Sequence, residues 1–229
     1  MTESDYKQTE NTGESRIHRI LIRILLVVIS LESGYLLYSG QWVPFILGCL
    51  VIISLISPIL FRSQLQIEIP AEFHLAAVFF ILAALYFGEI QKFYQRIWWW
   101  DIVLHTTAGL LMGILGFLLV YILNETDRVK MHLEPGFVAF FAFLFAISIG
   151  TFWEIFEFTI DQLFGTTMQK PMFNDPSGLT DTMWDMIVNA GGALVISLSG
   201  WWYLKTNQDF FVMNWIKKFI NRNPSLFKK

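Results

Sequence analysis

The chain has 229 residues, of which 55% are hydrophobic and 15% are charged, and its formal net charge is −3. A mean hydropathy of +0.51 excludes an ordinary soluble domain, and the slightly acidic balance, with no long run of lysines or arginines, excludes a nucleic-acid-binding stripe. The single cysteine, Cys49, excludes an intramolecular disulfide framework and a cysteine-rich zinc site. The composition therefore predicts an integral membrane protein.

Six apolar windows predict six membrane-spanning helices. The first 16 residues are polar and predict a short disordered tail. A helix needs about 20 apolar residues to cross a bilayer core of about 30 Å. The windows that meet or approach this length cover residues 17–39, 42–61, 73–93, 99–123, 136–158 and 182–204. We therefore predict an all-α fold, a polytopic bundle of six transmembrane helices over residues 17–204.

The basic residues predict the orientation of this bundle. When the loops are assigned alternately to the two sides, one side receives Lys92, Arg96 and Lys170, and the other receives the remaining thirteen of the 16 lysines and arginines. Positively charged loops stay in the cytoplasm. We therefore expect both termini to be cytoplasmic, in a multi-pass protein of the cell membrane.

The basic tail 205–229 is predicted to contain an amphipathic helix. Phe211, Trp215 and Phe219 share one helical face, and Asn214, Lys217, Lys218, Asn221 and Arg222 share the other. This pattern is typical of a helix that lies in the membrane interface. Two roles fit it: recruitment to anionic lipid, or a simple anchor for the last span.

Three of the predicted spans carry polar side chains on one face each. Ionisable residues inside a span are rare and mark functional sites by default. At spacings of three or four residues, the fourth span carries Asp101 and His105, the fifth carries Glu154, Glu157 and Asp161, and the sixth carries Asp181, Asp185 and Asn189. Because consecutive helices run in opposite directions, all seven ionisable groups fall at the outer ends. The sequence predicts a shallow polar cavity below the outer interface.

Some of these acids have simpler explanations. Asp101 and Asp181 stand at helix starts, where a carboxylate commonly caps the helix, and Glu157 and Asp161 could emerge into water. Acids at the C-terminal end of a helix are disfavoured by the helix dipole, by a few tenths to about 1 kcal/mol each. The stripe at the end of the fifth span therefore needs a compensating partner.

Six neighbouring carboxylates repel one another unless several are protonated or a cation binds between them. Oxygen ligands with one imidazole suit Mg²⁺, Mn²⁺, Ca²⁺ or Zn²⁺. We expect a divalent-metal site and no organic cofactor, with Glu154 or Glu157 as catalytic base. Asp161 and Asn189 are expected to line the site. The expected metal ligands are Asp101, His105, Glu154, Glu157, Asp181 and Asp185.

These residues resemble the motifs of the VanZ-like group of membrane proteins. Asp101 and His105 match Asp-x-x-x-His, Glu154 matches the head of Glu-x-x-Gln, and Asp185, Asn189 and Gly192 match Asp-x-x-x-Asn-x-x-Gly. Glu157 departs from the glutamine of the second motif. The Glu-x-x-Glu form, followed by Asp181, Thr182, Trp184 and Asp185, is instead similar to the YjdF-type bacterial inner-membrane proteins. The resemblance implies a small inner-membrane protein and, for the VanZ branch, a role in the cell envelope.

Three functions fit these features. The first is a metal-dependent enzyme that acts on a lipid-linked envelope substrate, and the second is a non-catalytic protein that binds an envelope component or partner through the polar loop 166–180. The third, a proton or cation translocator, should carry its acids across the membrane. Deeper in the membrane than Asn189, the same helical faces carry glycine and alanine instead of acids. This absence of further acids disfavours transport. Membrane lipids are the expected partners, nucleic acid is not, and the oligomeric state does not follow from the sequence.

Overall fold

The chain folds into helices that form two compact units. The computed structural model describes residues 3–65, 68–125, 133–173, 175–206 and 211–224, and no strand occurs among them. The units are Met1–Arg96 and Ile97–Lys229. The third predicted span therefore groups with the first two.

The first unit packs three long helical segments around one apolar core. Its helices are α1 (Glu3–Tyr38), α2 (Trp42–Leu65), α3 (Ala71–Ile81) and the short α4 (Phe93–Arg96), and α3 continues as a π-helical segment, Leu82–Ile90. The core residues are Ile29, Val51, Leu55, Val78 and Leu82. Glu32, an acid within the apolar part of α1, accepts hydrogen bonds from the Tyr86 hydroxyl and from the Gln91 amide, the latter at 3.1 Å. These two donors explain how an acid is tolerated in that position.

The second unit is a three-helix bundle followed by a short helix. Its helices are α5 (Trp100–Glu125), α6 (Pro135–Phe164), α7 (Leu179–Thr206) and α8 (Phe211–Arg222), and α5, α6 and α7 each contact the other two. Proline at the first position starts α6, and Gly165, with a φ of 64°, ends it. A glycine in the left-handed conformation commonly ends a helix. Because this glycine is at position 165, α6 extends six residues beyond Phe158, where the predicted span ends.

Helices α5 and α7 approach each other through two glycines. A methyl group on Gly109 would overlap the backbone carbonyl of Asn189, and one on Gly192 would overlap the carbonyl of Thr106. Only glycine allows two helix backbones to come this close. The buried Asn189 amide also donates a hydrogen bond to the Ala146 carbonyl of α6, at 3.3 Å. The register of α7 against both neighbours is therefore fixed one turn below Asp185.

Five helices are long and apolar enough to cross a membrane among the described residues. They are Arg19–Tyr38, Ala71–Ile90, Trp100–Tyr121, Pro135–Phe164 and Leu179–Thr206. The all-α class is confirmed, and these five correspond to five of the predicted spans. The remaining one, 42–61, lies in α2, where the apolar stretch identified in the described part, Trp42–Ser57, is shorter than a full span.

The structure differs from the prediction at the N-terminal end of the chain and agrees with it at the C-terminal end. The backbone of α1 is already helical at Glu3, where the polar composition of residues 1–16 predicts disorder. Glutamate, lysine and glutamine are good helix formers, and the apolar helix that follows provides the nucleus. At the other end, the predicted amphipathic helix is confirmed as α8, with Phe219 buried and Asn221 exposed. The Phe211 side chain and residues 207–210 and 225–229 lie outside the described part.

Substitution of Gly109 tests the close approach of α5 and α7. We expect Gly109→Ala to lower the free energy of unfolding by about 1–3 kcal/mol, because the added methyl must push a backbone carbonyl away. Gly191→Ala is the matched control, since a methyl group there meets no atom within 4 Å. Chemical unfolding in detergent micelles measures both variants. Equal stability of the two would contradict the close approach.

Candidate functional site

The imidazole of His105 lies among carboxylates from all three long helices of the second unit. Its Nε2 atom is 3.5 Å from Asp101 Oδ1 on the same helix and 3.8 Å from Asp185 Oδ2 on α7. Its Nδ1 atom is 3.6 Å from Glu154 Oε1 on α6. The spacing of four residues places Asp101 and His105 on one face of α5, and the packing of the bundle brings the other two acids to them.

Two of these acids are buried without hydrogen bonds. The Asp185 side chain is 0% exposed and the Glu154 side chain is 4% exposed. None of their four carboxylate oxygens has a hydrogen-bond partner within the described part of the chain. A buried charge costs several kcal/mol unless an opposite charge or a proton compensates it. These two carboxylates therefore need either a compensating positive charge or a proton.

Three side chains of the site can reach a single metal ion. Asp101, His105 and Asp185 each offer one ligand atom, and these atoms lie within 4.8 Å of one another. Ligand atoms that are about 2.1 Å from one ion are separated by roughly 3–4 Å. A small movement of the three side chains would therefore bring their ligand atoms within bonding distance of a single ion. Since Asp101 and Asp185 both face Nε2, the ion would bind that nitrogen of His105.

Glu154 faces the other side of the imidazole ring. A metal-binding histidine usually donates its second N–H to a carboxylate, which fixes the orientation of the ring. Glu154 is in position to accept that hydrogen bond from Nδ1. The arrangement suits Glu154 to orient His105 rather than to bind the ion itself.

Lys170, from the loop between α6 and α7, contributes a positive charge to the site. Its ammonium lies 2.5 Å from Asp101 Oδ2, and its backbone N–H donates to Asp181 Oδ2 at 2.8 Å. Burial alone would lower the pKa of Lys170, but the Asp101 carboxylate, followed by those of Glu157 and Asp181, raises this pKa above its ordinary value. Lys170 is therefore charged at neutral pH.

The loop that carries Lys170 is held by carboxylates at both of its ends. Asp161, in the last turn of α6, accepts hydrogen bonds from the Thr166 hydroxyl at 2.5 Å and from the backbone N–H groups of Met168 and Gln169 at 2.8 and 2.9 Å. Before α7, Asp175 accepts hydrogen bonds from the side chains and backbones of Ser177 and Thr180, which lower the pKa of its carboxyl well below the usual range. These bonds give the loop a defined conformation.

The eight residues predicted for the site take different positions. Asp101, His105, Glu154 and Asp185 come together around the imidazole. Glu157 is buried one turn closer to the loop and accepts a hydrogen bond from the Trp153 indole at 2.8 Å.

Three other predicted residues support this centre from outside it. The Asp161 and Asp181 carboxylates accept hydrogen bonds from the backbone of the loop, and Asn189 joins α7 to α6. The compensation that the acids of α6 require thus comes from different donors: loop N–H groups for Asp161 and an indole for Glu157. The capping explanation does not account for Asp101, because its two oxygens face His105 and Lys170.

The sequence placed Lys170 on the same side of the membrane as the acids, but it did not assign Lys170 to the site. This residue is 69 positions from Asp101 in the chain, so no helical periodicity connects the two. One signal pointed to it: Lys170 is the single basic residue of the loop 165–178, which joins two acid-bearing helix ends.

A comparison with known protein families supports the assignment of this chain as a membrane protein. Residues 17–206 match the model of a family described as "Predicted membrane protein (DUF2238)", and this range contains every residue of the site. The chain is also 27% identical over 186 residues to an uncharacterized protein of Thermotoga maritima, an alignment that covers 80% of this chain and 88% of the relative. No solved structure matches the chain significantly.

The family match and the apolar helices lead to the same assignment. The match covers most of the chain, from the beginning of the first apolar stretch to the end of α7. Five helices of the described part have the length and composition of membrane spans, as expected for a multi-pass membrane protein. The chain belongs to the DUF2238 family of membrane proteins.

Proposed function

We propose that the second unit is a metal-dependent hydrolase that binds a divalent cation through Asp101, His105 and Asp185 and acts on a lipid-linked phosphate. One observation carries this proposal. Two carboxylates from different helices converge on Nε2 of His105, while Glu154 faces Nδ1. Neither carboxylate oxygen of the fully buried Asp185 has a hydrogen-bond partner in the described structure.

The donor set suits a catalytic site better than a structural one. Three protein ligands leave coordination positions open for water and for a substrate oxygen. One histidine with two carboxylates suits Mn²⁺ or Zn²⁺ better than Ca²⁺, which takes six to eight oxygens. A cation in this position would polarise a phosphoryl group and acidify a bound water.

Glu157 is the proposed general base for this reaction. It is buried on the same face of α6 as Glu154, one turn closer to the loop, and the Trp153 indole holds its carboxylate through a hydrogen bond. In the proposed hydrolysis the water oxygen forms a bond to phosphorus and its proton passes to Glu157. The bond from phosphorus to the ester oxygen breaks, and that oxygen takes up the proton from Glu157, which is then ready for the next cycle.

A protein that binds a lipid phosphate without cleaving it is the second candidate. The partly exposed Lys170 beside the acids favours it, because an ammonium at the opening serves binding as well as catalysis. Transport has less support. Gly109 against Asn189 and Gly192 against Thr106 leave no space between the backbones of α5 and α7 directly below the acids.

For the whole chain, we infer six spans with both termini in the cytoplasm of a bacterial cell. The 24 residues of α2 are long enough for the sixth span, and the uneven distribution of lysine and arginine supports the orientation. The resemblance to VanZ-like and YjdF-type proteins supports the inner membrane and a role in the envelope.

The orientation predicts which side of the membrane the loop 165–178 faces. In a Cys49→Ser background, we expect Thr167→Cys to react with a membrane-impermeant maleimide in intact cells, because this exposed position would be periplasmic. Thr206→Cys, which is exposed at the opposite end of α7, is the control and should react only after lysis. The reverse pattern would overturn the orientation.

Removal of one proposed ligand tests the metal site. We expect Asp185→Asn to weaken Mn²⁺ binding at least about tenfold, since the amide keeps the shape but loses the charge. Glu134→Gln is the control, because it removes one exposed acid at the opposite end of α6. Isothermal titration of the purified protein in detergent gives the affinities. A wild-type protein that binds neither Mn²⁺ nor Zn²⁺ would contradict the proposal.

Phosphate release separates the enzyme from the binding protein. With Mn²⁺ present, we expect the wild type to release phosphate from dihexanoyl phosphatidic acid or from farnesyl diphosphate, and a chelator to abolish this activity. Glu157→Gln should lower turnover by about 10²-fold or more through loss of the base, with unchanged Mn²⁺ affinity. A metal-loaded protein that binds these probes but releases no phosphate would exclude the hydrolase and favour the binding protein.

A further inference from the structure

The Lys170 ammonium occupies the edge of the proposed metal centre. It contacts Asp101 Oδ2, while Asp101 Oδ1 faces His105. One carboxylate therefore serves both the lysine and the imidazole. With 26% of its side chain exposed, Lys170 is the most accessible charged group of this contact network, whereas Asp185 and Glu154 are enclosed.

The backbone of Lys170 is fixed, but its side chain can move. The backbone N–H is bound to Asp181, and the preceding residue, Gln169, is held through its N–H by Asp161 and through its side-chain amide by Thr182, at 2.8 Å. A lysine ammonium on its four-carbon stem is flexible. The loop thus keeps the charge beside the metal ligands and lets it change partner.

Binding of a divalent cation would change the surroundings of this ammonium. Asp101 would then share its negative charge with the ion, and two positive charges only a few ångströms apart would repel each other. The side chain can relieve this repulsion by turning to an anion that is itself bound to the metal. Lysine binds phosphate groups as a compact point charge.

We infer that Lys170 is a specificity-determining residue that binds the phosphate group of the substrate while the metal holds another oxygen of the same phosphate. The inference rests on the metal centre and the phosphate substrate proposed above and deepens them by naming the residue that selects the phosphate. A neutral glycan or peptide offers the ammonium no negative charge, whereas a phosphate bound to the metal does. The negative charge of a phosphate compensates the positive charges of both the metal ion and the lysine.

Exposed tryptophans indicate that this phosphate comes from a lipid. Trp99 immediately before α5, Trp153 in the second half of α6 and Trp184 near the start of α7 are all exposed, and each lies within two turns of a site residue in the sequence. Tryptophan is enriched at the depth of lipid headgroups. At that depth, a lipid phosphate can reach Lys170 without leaving the membrane.

The test measures metal and phosphate binding separately in the full-length protein. Mn²⁺ is titrated first, and inorganic phosphate or dihexanoyl phosphatidic acid is then titrated into the Mn²⁺-loaded protein. Lys170→Met removes the charge, Lys170→Arg keeps it, and Lys205→Met is the control because it removes one exposed positive charge at the far end of α7.

We expect Lys170→Met to bind Mn²⁺ at least as tightly as the wild type, but both phosphate probes at least about tenfold more weakly. Lys170→Arg should restore phosphate binding, and Lys205→Met should match the wild type. Tighter binding of the phosphatidic acid than of inorganic phosphate supports the lipid source, and equal binding supports a free phosphate group.

Unchanged phosphate affinity in Lys170→Met, or no phosphate binding by the Mn²⁺-loaded wild type, would overturn the role of Lys170 and leave the metal centre standing. Absence of Mn²⁺ binding in the first titration would instead overturn the metal centre, and with it the inference built on it.

Discussion

The second unit is organised around the cost of burying negative charge. Five buried carboxylates, those of Asp101, Glu154, Glu157, Asp181 and Asp185, lie at one end of a three-helix bundle whose outer surface is apolar. The neighbouring positive groups are the Lys170 ammonium and, when protonated, the His105 imidazole. Such a cluster is stable only if each charge has a partner, because the desolvation of an unpaired ion costs several kcal/mol. The acids therefore have different roles. Asp161 and Asp181 hold the loop through hydrogen bonds, whereas the oxygens of Asp185 and Glu154 have no hydrogen-bond partner in the described structure.

The rest of the unit keeps these groups in register. Gly109 and Gly192 allow α5 and α7 to approach closely, and Asn189 joins α7 to α6 immediately below the acids. Above the acids, Asp161 and Asp181 hold the loop that delivers Lys170. A metal site needs ligands held near their final positions. The packing below and the loop above meet this requirement.

The sequence predicted the parts of this arrangement that depend on periodicity. A spacing of four residues places Asp101 and His105 on one face, and alternating helix directions bring the acids of α6 and α7 to the same end. It did not predict which acid faces which imidazole nitrogen, since that depends on the orientation of the ring between helices. Lys170 could be placed on the same side as the acids but not assigned to the site, because hydrogen bonds of Asp161 and Asp181 to the loop backbone, rather than any periodicity, determine its position. The division of the chain after Arg96 likewise depends on helix packing that composition does not report.

The most direct test of the account is pulsed electron paramagnetic resonance of Mn²⁺ bound to the purified protein, which detects nitrogen nuclei coordinated to the ion. The proposed centre predicts coupling to one imidazole nitrogen, that of His105, and loss of this coupling in His105→Ala. Bound Mn²⁺ without nitrogen coupling, or with coupling that survives this substitution, would contradict a centre built on His105.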